Sequence, residues 1–92
     1  MSETHSQQVT LVNELGMHLR AAGRFVQVAG RYQASISIER DGVAVDGKSI
    51  MGILSLAVAC GQEITITAMG AEASQAVQAL VQLVATGFQE EG

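Results

Sequence analysis

Hydrophobic and polar residues alternate along four short segments of the chain, which is the pattern of a β-strand with one buried face. Between the second and the third of these segments stands the pair Asp41-Gly42, which favours a two-residue hairpin turn. Since every segment has a single apolar face, we expect one sheet that is covered on one side only. The four segments are residues 8–13, 34–40, 43–45 and 63–69.

Three further segments have apolar residues three and four positions apart, as amphipathic helices do. The first covers residues 19–30 and should end at Gly30, and the third covers residues 72–86. The middle segment, "SIMGILSLAVA" (residues 49–59), is apolar on nearly every side. A sheet covers only one side of a helix in a two-layer domain. Part of this helix should therefore be exposed and form a docking surface, unless loops cover it.

The predicted order of elements is β-α-β-β-α-β-α. An antiparallel sheet with helices on its one apolar face is an α+β open-faced β-sandwich. The length of 92 residues is that of a single domain. We expect residues 1–7 to form a polar N-terminal tail and residues 88–92 to form a C-terminal tail.

Charge and cysteine content limit the partners and the cellular compartment that the sequence is compatible with. The net charge of −4 argues against nucleic acid as a partner. Cys60 is the lone cysteine, so the chain forms no internal disulfide, and its apolar neighbours predict a small buried side chain. The chain shows neither a signal peptide nor an apolar run that could span a membrane. We therefore expect a cytoplasmic protein without membrane insertion.

The basic residues lie in one part of the chain, between positions 20 and 48. A basic patch on an acidic protein suggests an acidic partner or a small anion. Arg31 and Arg40 are interpreted here as ordinary surface charges. The complete set is Arg20, Arg24, Arg31, Arg40 and Lys48.

His18 precedes the first predicted helix and is expected at its N-cap or beside it. The unpaired N–H groups of residues 19–21 would then form a site that attracts an anion. Arg20 and Arg24, four residues apart, share a helix face, and a guanidinium suits phosphate oxygens. Histidine is not a preferred N-cap residue, so local stability does not explain its presence.

Three kinds of chemistry compete for His18. A general base needs a substrate pocket with partner groups, and a metal ligand needs companions at ligand spacing, which neither His5 nor Cys60 provides. A covalent phosphoryl acceptor needs only a neutral, exposed imidazole and donors that hold the anion afterwards. We favour the phosphoryl acceptor and expect no metal and no other cofactor.

Two motifs resemble those of a known family, the histidine-containing phosphocarrier proteins (HPr) of the bacterial phosphotransferase system. "LGMHLRAAGRFV" resembles the family's active-site signature, and "GKSIMGILSL" resembles its signature around a regulatory serine. The resemblance extends over about residues 8–88. It implies a sheet order of 1-4-2-3, with three helices on one face of the sheet.

The resemblance also implies roles for single residues. Enzyme I, charged by phosphoenolpyruvate, would phosphorylate His18 on Nδ1, and Arg20 would contact the phosphoryl group. The group would then pass to a histidine of an enzyme IIA domain or a similar acceptor, so the protein would be a carrier and not a turnover enzyme. Ser49 would be the regulatory serine, acted on by a serine kinase/phosphorylase, although a serine there is also a favoured N-cap. We expect a monomer.

Helical spacing predicts two faces for the middle helix. Ile53, Leu56 and Ala57 should face the sheet, whereas other apolar side chains should point outward near His18 and form the centre of the docking surface. Basic side chains would steer acidic partners towards that surface. The expected docking residues are Arg24, Lys48, Ile50, Met51 and Leu54.

The chain departs from the family pattern around His18, and other functions remain open. Leu19 replaces a small residue, Ala21 stands where proline is frequent, and Gly23 stands where a larger residue is common. These changes bear on the transfer rate and on the identity of the partner. One alternative function is a regulatory binding module that acts through Ser49 and the apolar docking patch without needing a reactive histidine. Another is a small phosphatase with Arg20 as anion cradle, but a phosphate-binding loop is missing.

Overall fold

The computed structural model describes residues 3–89, and its strands and helices follow the predicted order. Each of the predicted strands and helices is present, and a short 3-10 helix at Gly87–Gln89 follows the last of them. The elements are β1 (Glu3–Thr10), α1 (Leu19–Ala29), β2 (Ser35–Arg40), β3 (Val43–Asp46), α2 (Ile50–Ser55), β4 (Glu63–Gly70) and α3 (Ala73–Ala85).

The four strands form one antiparallel sheet in the order β1-β4-β2-β3. Side chains of β4 show why one face is covered, since Ile64, Ile66 and Ala68 are buried while the threonines between them are partly exposed. The helices lie on the buried face. The α+β open-faced sandwich and the strand order 1-4-2-3 are thus confirmed.

The hairpin between β2 and β3 has the predicted turn. Asp41 has φ 52° and Gly42 has φ 83°, so both central residues are left-handed, as a type I′ turn requires. Aspartate tolerates this conformation better than most residues with a side chain. The turn fixes the register in which Arg40 pairs with Val43 and Ile38 with Val45.

The core lies between the sheet and the helices and is built from aliphatic side chains and two phenylalanines. In α1 and α3 the buried residues follow the predicted helical stripes, with Ala22, Phe25 and Ala29 in α1. Between residues 3 and 89, no helix has the length and apolarity needed to cross a membrane. The largest fully buried side chains are Phe25, Phe88, Leu11, Ile38, Ile53, Ile64, Ile66, Leu80 and Val84.

The N-terminal tail expected over residues 1–7 is wrong for the residues that the structure describes. β1 begins at Glu3 and pairs with β4 along its whole length, from Glu3 opposite Gly70 to Thr10 opposite Glu63. All its side chains except Val9 are exposed, so the strand has no hydrophobic alternation before that residue. Backbone pairing at the sheet edge, which leaves no mark in the hydrophobic pattern, makes this segment a strand.

The C-terminal tail expected over residues 88–92 is also wrong at its start, while residues 90–92 lie outside the described part. Phe88 is fully buried. It belongs to the 3-10 helix after α3 and has φ 59°. Burial of a large aromatic side chain in the core stabilises the fold by more free energy than the strained backbone costs. The chain therefore folds back onto the helices.

The middle helix is shorter than the predicted 49–59, because α2 ends at Ser55 with Leu56 as its C-cap. Ile53 and Leu56 are buried as expected, with 0% and 6% of their surface exposed. Ala57 does not face the sheet: it is exposed and has φ 51°, so the chain reverses there. The apolar run therefore divides into a helix and a loop.

Cys60 is exposed, so the prediction of a buried cysteine is wrong. Because the helix ends early, Cys60 lies in the loop between α2 and β4. The next residue, Gly61, has φ 86°, and its amide donates to Leu11 O at 2.8 Å. This turn holds the loop at the surface.

Candidate functional site

His18 is the N-cap of α1, as predicted. Its backbone is extended, with φ −82° and ψ 178°, and its carbonyl accepts the helical hydrogen bond from Ala22 N at 2.9 Å. Its ring atom Nδ1 accepts a hydrogen bond from Arg20 N at 3.2 Å. The half-buried imidazole is therefore held at the helix N-terminus by the backbone amide of Arg20.

The turn before His18 is closed by hydrogen bonds from both sides. Gly16 N donates to Asn13 O at 3.1 Å, and the buried side chain of Asn13 donates from Nδ2 to Gly16 O at 2.7 Å. His18 N also donates to Gly16 O, at 3.0 Å. The backbone that leads to the histidine is thus fixed on the N-terminal side.

Gly16 is needed because this turn lies directly on the loop after α2. Gly16 has φ 64°, and a Cβ atom there would lie 2.5 Å from Val58 O and 2.9 Å from Ala59 Cα. The following residue, Met17, is 5% exposed, and its amide donates to Val58 O at 2.9 Å. No larger residue can occupy position 16 without moving the turn or the loop.

The N-terminal end of α1 is a positive site. The first turn contains no acidic side chain that would offset the helix dipole. Arg20 is exposed in this turn, two residues from His18. Leu19 and Leu15, on either side of His18 in the sequence, are both 66% exposed. The imidazole, the amide ends and a guanidinium therefore share one helix end that also displays apolar surface.

Arg24 is partly buried and has a structural partner. Its guanidinium Nη1 donates a hydrogen bond to the backbone oxygen of Phe88. Sequence reasoning missed this contact because the two residues are 64 positions apart. The structure thus brings Arg24 to the C-terminal 3-10 helix.

Lys48 lies at the other end of α1 from His18. Its Nζ donates to Tyr32 O at 3.2 Å, and Tyr32 follows the last turn of α1. A helix that rises about 1.5 Å per residue separates the two ends of α1 by ~15 Å. The structure therefore does not bring the Lys48 ammonium to the imidazole.

Ser49 is the N-cap of α2, which confirms its predicted structural role. Its hydroxyl oxygen accepts a hydrogen bond from Gly52 N at 3.1 Å. The residue is half-buried. The serine therefore stands at the start of the helix that contains the expected apolar docking residues.

The expected docking residues of α2 differ in exposure. Met51 is 77% exposed and Ile50 is 36% exposed, so both point outward as predicted. Leu54 is partly buried and packs against the core, so it does not lie fully outward. Met51 is therefore the most prominent apolar side chain of this helix.

Sequence reasoning also missed the role of Asn13, although a signal was present. Asparagine followed by glycine three residues later, as in "NELG", is typical of a type I turn. The buried Asn13 side chain reinforces this turn by binding Gly16 O. The motif "NELGMH" thus specifies the backbone on which the histidine stands.

Comparison with known proteins gives a match over most of the chain. A family model described as the PTS HPr component phosphorylation site matches residues 5–86. The phosphocarrier protein HPr of Pseudomonas putida is 40% identical over 86 residues, which cover 92% of this chain and 96% of that protein. The HPr-like protein Crh of Bacillus subtilis is 40% identical over 78 residues, 85% of this chain and 92% of that protein.

The fold agrees with this match. A crystal structure of HPr from Thermoanaerobacter tengcongensis superimposes with a TM-score of 0.91 and 38% sequence identity. The superposition covers 96% of this chain and 99% of that one. The likeness therefore includes the whole sheet and its helices.

Proposed function

Since this chain belongs to the HPr family of the phosphotransferase system, we propose that His18 carries a phosphoryl group. Enzyme I charged by phosphoenolpyruvate supplies it, and a histidine of an enzyme IIA-type protein receives it. The observation that carries the proposal is the position of His18 Nδ1 at the N-terminus of α1, 3.2 Å from the amide of Arg20. A cytoplasmic location is part of the proposal.

Transfer at Nδ1 requires only groups that this helix end provides. The lone pair of Nδ1 forms a new N–P bond as the bond between the phosphoryl group and charged enzyme I breaks, and the electron pair of that bond returns to enzyme I. His18 Nε2 keeps its proton during this step. The reverse sequence delivers the phosphoryl group to the acceptor histidine, so His18 is restored without net gain or loss of atoms.

The amide that orients the ring also stabilises the product. Before transfer, Arg20 N donates to Nδ1 and holds the ring in place. After transfer, the Nδ1 lone pair belongs to the N–P bond, so the same amide donates to a phosphoryl oxygen instead. The helix dipole and the exposed Arg20 guanidinium favour the added negative charge.

Partners dock on the exposed apolar side chains of α2 and of the residues beside His18. We assign Met51 and Ile50 to the centre of the docking surface because they are exposed apolar residues at the start of α2. Leu54 contributes its exposed part. Leu19, 66% exposed beside the histidine, contacts the partner directly and selects among acceptors. Lys48 steers acidic partners from the far end of α1.

Ser49 regulates this docking when a host kinase phosphorylates it. A phosphate at the N-cap meets a helix N-terminus, which tolerates negative charge, so α2 stays folded. The charge lies beside Ile50 and Met51 and opposes the burial of that surface. Binding of enzyme I should therefore weaken.

A regulatory binding module on the same scaffold is the alternative function. The chain is 40% identical to the HPr-like protein Crh over 78 residues and 40% identical to the HPr of P. putida over 86 residues. Such a module acts through Ser49 and the apolar patch and does not need a reactive histidine. His18 with Arg20 in the first turn of α1 favours the carrier.

The experiment is incubation with enzyme I and radiolabelled phosphoenolpyruvate, followed by mapping of the label. We expect one phosphoryl group on His18. It should be labile in acid, because phosphohistidine is a phosphoramidate. His5→Ala is the matched control and should label like the wild type, because His5 lies within β1, where its Nε2 is 3.2 Å from Glu3 Oε2, and is not an N-cap residue. Full labelling of His18→Ala would exclude the proposal, and an unlabelled wild type would favour the regulatory module.

A further inference from the structure

Arg40 ends β2 on the face of the sheet that the helices cover. Alternation along β2 places Ile36 and Ile38 in the core, and Arg40 follows them on the same face. Its side chain is only 26% exposed. A cation at the edge of a core needs hydrogen-bond partners, so Arg40 is not the ordinary surface charge expected from the sequence.

The partner of Arg40 is the end of α2. Its Nη1 donates to Leu56 O at 2.9 Å, and Leu56 is the C-cap of this helix. The carbonyl end of a helix dipole favours a positive charge. The neighbouring Asp41 carboxylate lies farther away, 3.7 Å from Nη2, and is 83% exposed, so solvent screens that pair.

The residues after α2 connect this bond to the site. We call residues 56–59 the floor segment, because the turn before His18 lies on it. Val58 O accepts the hydrogen bond of Met17 N at 2.9 Å. There is no space between the two, since a Cβ on Gly16 would lie 2.5 Å from Val58 O.

The floor segment is held by a side chain at each of its ends. Arg40 binds Leu56 O at one end, and Gln62 Oε1 accepts from Ala59 N at 2.7 Å at the other. α2 itself has six residues, too few for a helix that is stable without outside contacts. The two side-chain anchors therefore add to the burial of Leu56 and Val58 in holding the floor segment in place.

We propose that Arg40 is a positioning residue for His18: it fixes the floor segment, and the floor segment fixes Met17 and the imidazole that follows it. Arg40 itself does not touch the ring or the phosphoryl group. For its effect on rate, this inference rests on the proposed phosphoryl transfer. Displacing a reacting group by about 1 Å lowers a rate by up to ~100-fold, so loss of a distant anchor has a kinetic effect.

The test compares two variants. Arg40→Met removes every hydrogen-bond donor of the side chain, whereas Arg40→Lys keeps the positive charge and can still donate a hydrogen bond. Arg31→Met is the matched control, because Arg31 is exposed after α1. Three quantities are measured on each full-length protein: hydrogen exchange of the Met17 amide relative to Ile66 in the core, the ring resonances of His18, and the initial rate of phosphorylation by enzyme I.

For Arg40→Met we expect the Met17 amide to exchange about tenfold faster relative to Ile66, the His18 ring resonances to shift, and the phosphorylation rate to fall about tenfold. Arg40→Lys should restore most of the rate, and Arg31→Met should match the wild type. The proposal is overturned if Met17 and Ile66 lose protection in proportion, which is global destabilisation, or if Arg40→Met and Arg31→Met have equal rates.

Two further arms keep the result decisive. If Arg40→Met does not fold, Arg40→Gln replaces it, because its amide is too short to reach Leu56 O, and the same expectations apply. If the wild type accepts no phosphoryl group, the proposed function fails by itself. Hydrogen exchange of Met17 then still decides: a selective loss of protection supports the positioning role, and its absence overturns it.

Discussion

Arg24 on α1 and Phe88 after α3 are joined by a hydrogen bond in which the guanidinium donates to the backbone oxygen. Phe88 is fully buried and has φ 59°, a left-handed conformation that costs energy for a residue with a side chain. The bond holds this strained residue against α1, the helix whose N-cap is His18. Arg24 therefore stabilises the C-terminal end of the fold, a role that its charge alone does not reveal.

Arg24→Gln should clearly lower the free energy of unfolding, whereas the rate of phosphoryl transfer should change little. Loss of a charged donor to a buried carbonyl costs about 1–2 kcal/mol, which corresponds to a melting temperature lower by ~5–15 °C in a chain of this size. Thermal melts would measure this, with Arg20→Gln as the exposed control that should melt near the wild type. A wild-type melt combined with slower phosphorylation by enzyme I would instead make Arg24 a docking residue.

Arg20→Lys should slow phosphoryl transfer with little change in stability. The substitution keeps the charge but removes the planar guanidinium that can make two parallel hydrogen bonds to phosphoryl oxygens. We expect a rate about tenfold lower, and a melting temperature within 2 °C or so of the wild type because the side chain is exposed. Quenched time courses of phosphorylation by enzyme I give the rate, and thermal melts give the melting temperature. Unchanged kinetics would show that Arg20 has no direct contact with the phosphoryl group.

Two glycines near His18 should respond in opposite directions to alanine. Gly23 lies inside α1, and a Cβ there has no atom within 4 Å, so Gly23→Ala should stabilise the protein by about 0.5–1 kcal/mol. Gly16 has φ 64° and a backbone oxygen 2.5 Å from the Cβ position, so Gly16→Ala should destabilise it and displace the histidine turn.

Denaturant unfolding and the rate of phosphorylation test this pair. Gly23→Ala should unfold at higher denaturant concentration with the wild-type rate, and Gly16→Ala should lose both stability and rate. If Gly16→Ala is as stable and as active as the wild type, the turn does not lie tightly on the loop after α2.

Met51→Glu should weaken docking while the fold survives. Met51 is 77% exposed, so a carboxylate there does not enter the core, but burying it in an apolar interface is costly. We expect the dissociation constant for enzyme I to rise about tenfold or more. Met69→Glu is the control, since Met69 is 52% exposed on β4. Equal weakening by both variants would locate docking elsewhere, and a Met51→Glu protein that unfolds would mean that Met51 supports the core.

The sequence predicted those parts of the fold that have a hydrophobic period or a specific turn. The buried residues Ile64, Ile66 and Ala68 alternate with more exposed ones along β4, and Asp41-Gly42 forms the turn between β2 and β3. Both features are predictable because burial and left-handed backbone depend on local residue types. The pattern predicts the first strand over residues 8–13, whereas β1 is Glu3–Thr10, so the two overlap only around Val9. The earlier residues of β1 are exposed at the sheet edge, where backbone pairing with β4 holds them and hydrophobicity has no effect.

The candidate site shows the same division. Ser49 at a helix start follows from the local preference of serine for the N-cap, whereas His18 is predicted at another from the helical pattern that begins at Leu19. The structure has both residues as N-caps. The contacts of Arg24 with Phe88 and of Arg40 with Leu56 join residues that are distant in sequence. A charged side chain can either point into solvent or donate a hydrogen bond to a buried carbonyl, and its position in the sequence does not show which of the two it does. Only the folded structure supplies the partner.

The N-cap geometry of Ser49 separates a structural effect from a regulatory one. Its hydroxyl oxygen accepts from Gly52 N at 3.1 Å, so Ser49→Ala removes a cap and should cost about 0.5–2 kcal/mol of stability. Ser49→Asp keeps an oxygen acceptor and adds a negative charge at the helix N-terminus, where the dipole favours it. The aspartate variant should therefore melt near the wild type.

The two variants should differ in the opposite sense when they bind enzyme I. The aspartate charge stands beside Ile50 and Met51, so it must be desolvated when that surface is buried, and phosphorylation of His18 should slow by about tenfold. The alanine variant should keep nearly the wild-type rate below its melting temperature. Gln78→Glu is the control for net charge, because Gln78 is exposed on α3 and the change adds one negative charge there. If Ser49→Asp and Gln78→Glu both accept phosphoryl groups at the wild-type rate, Ser49 acts only as a cap of α2.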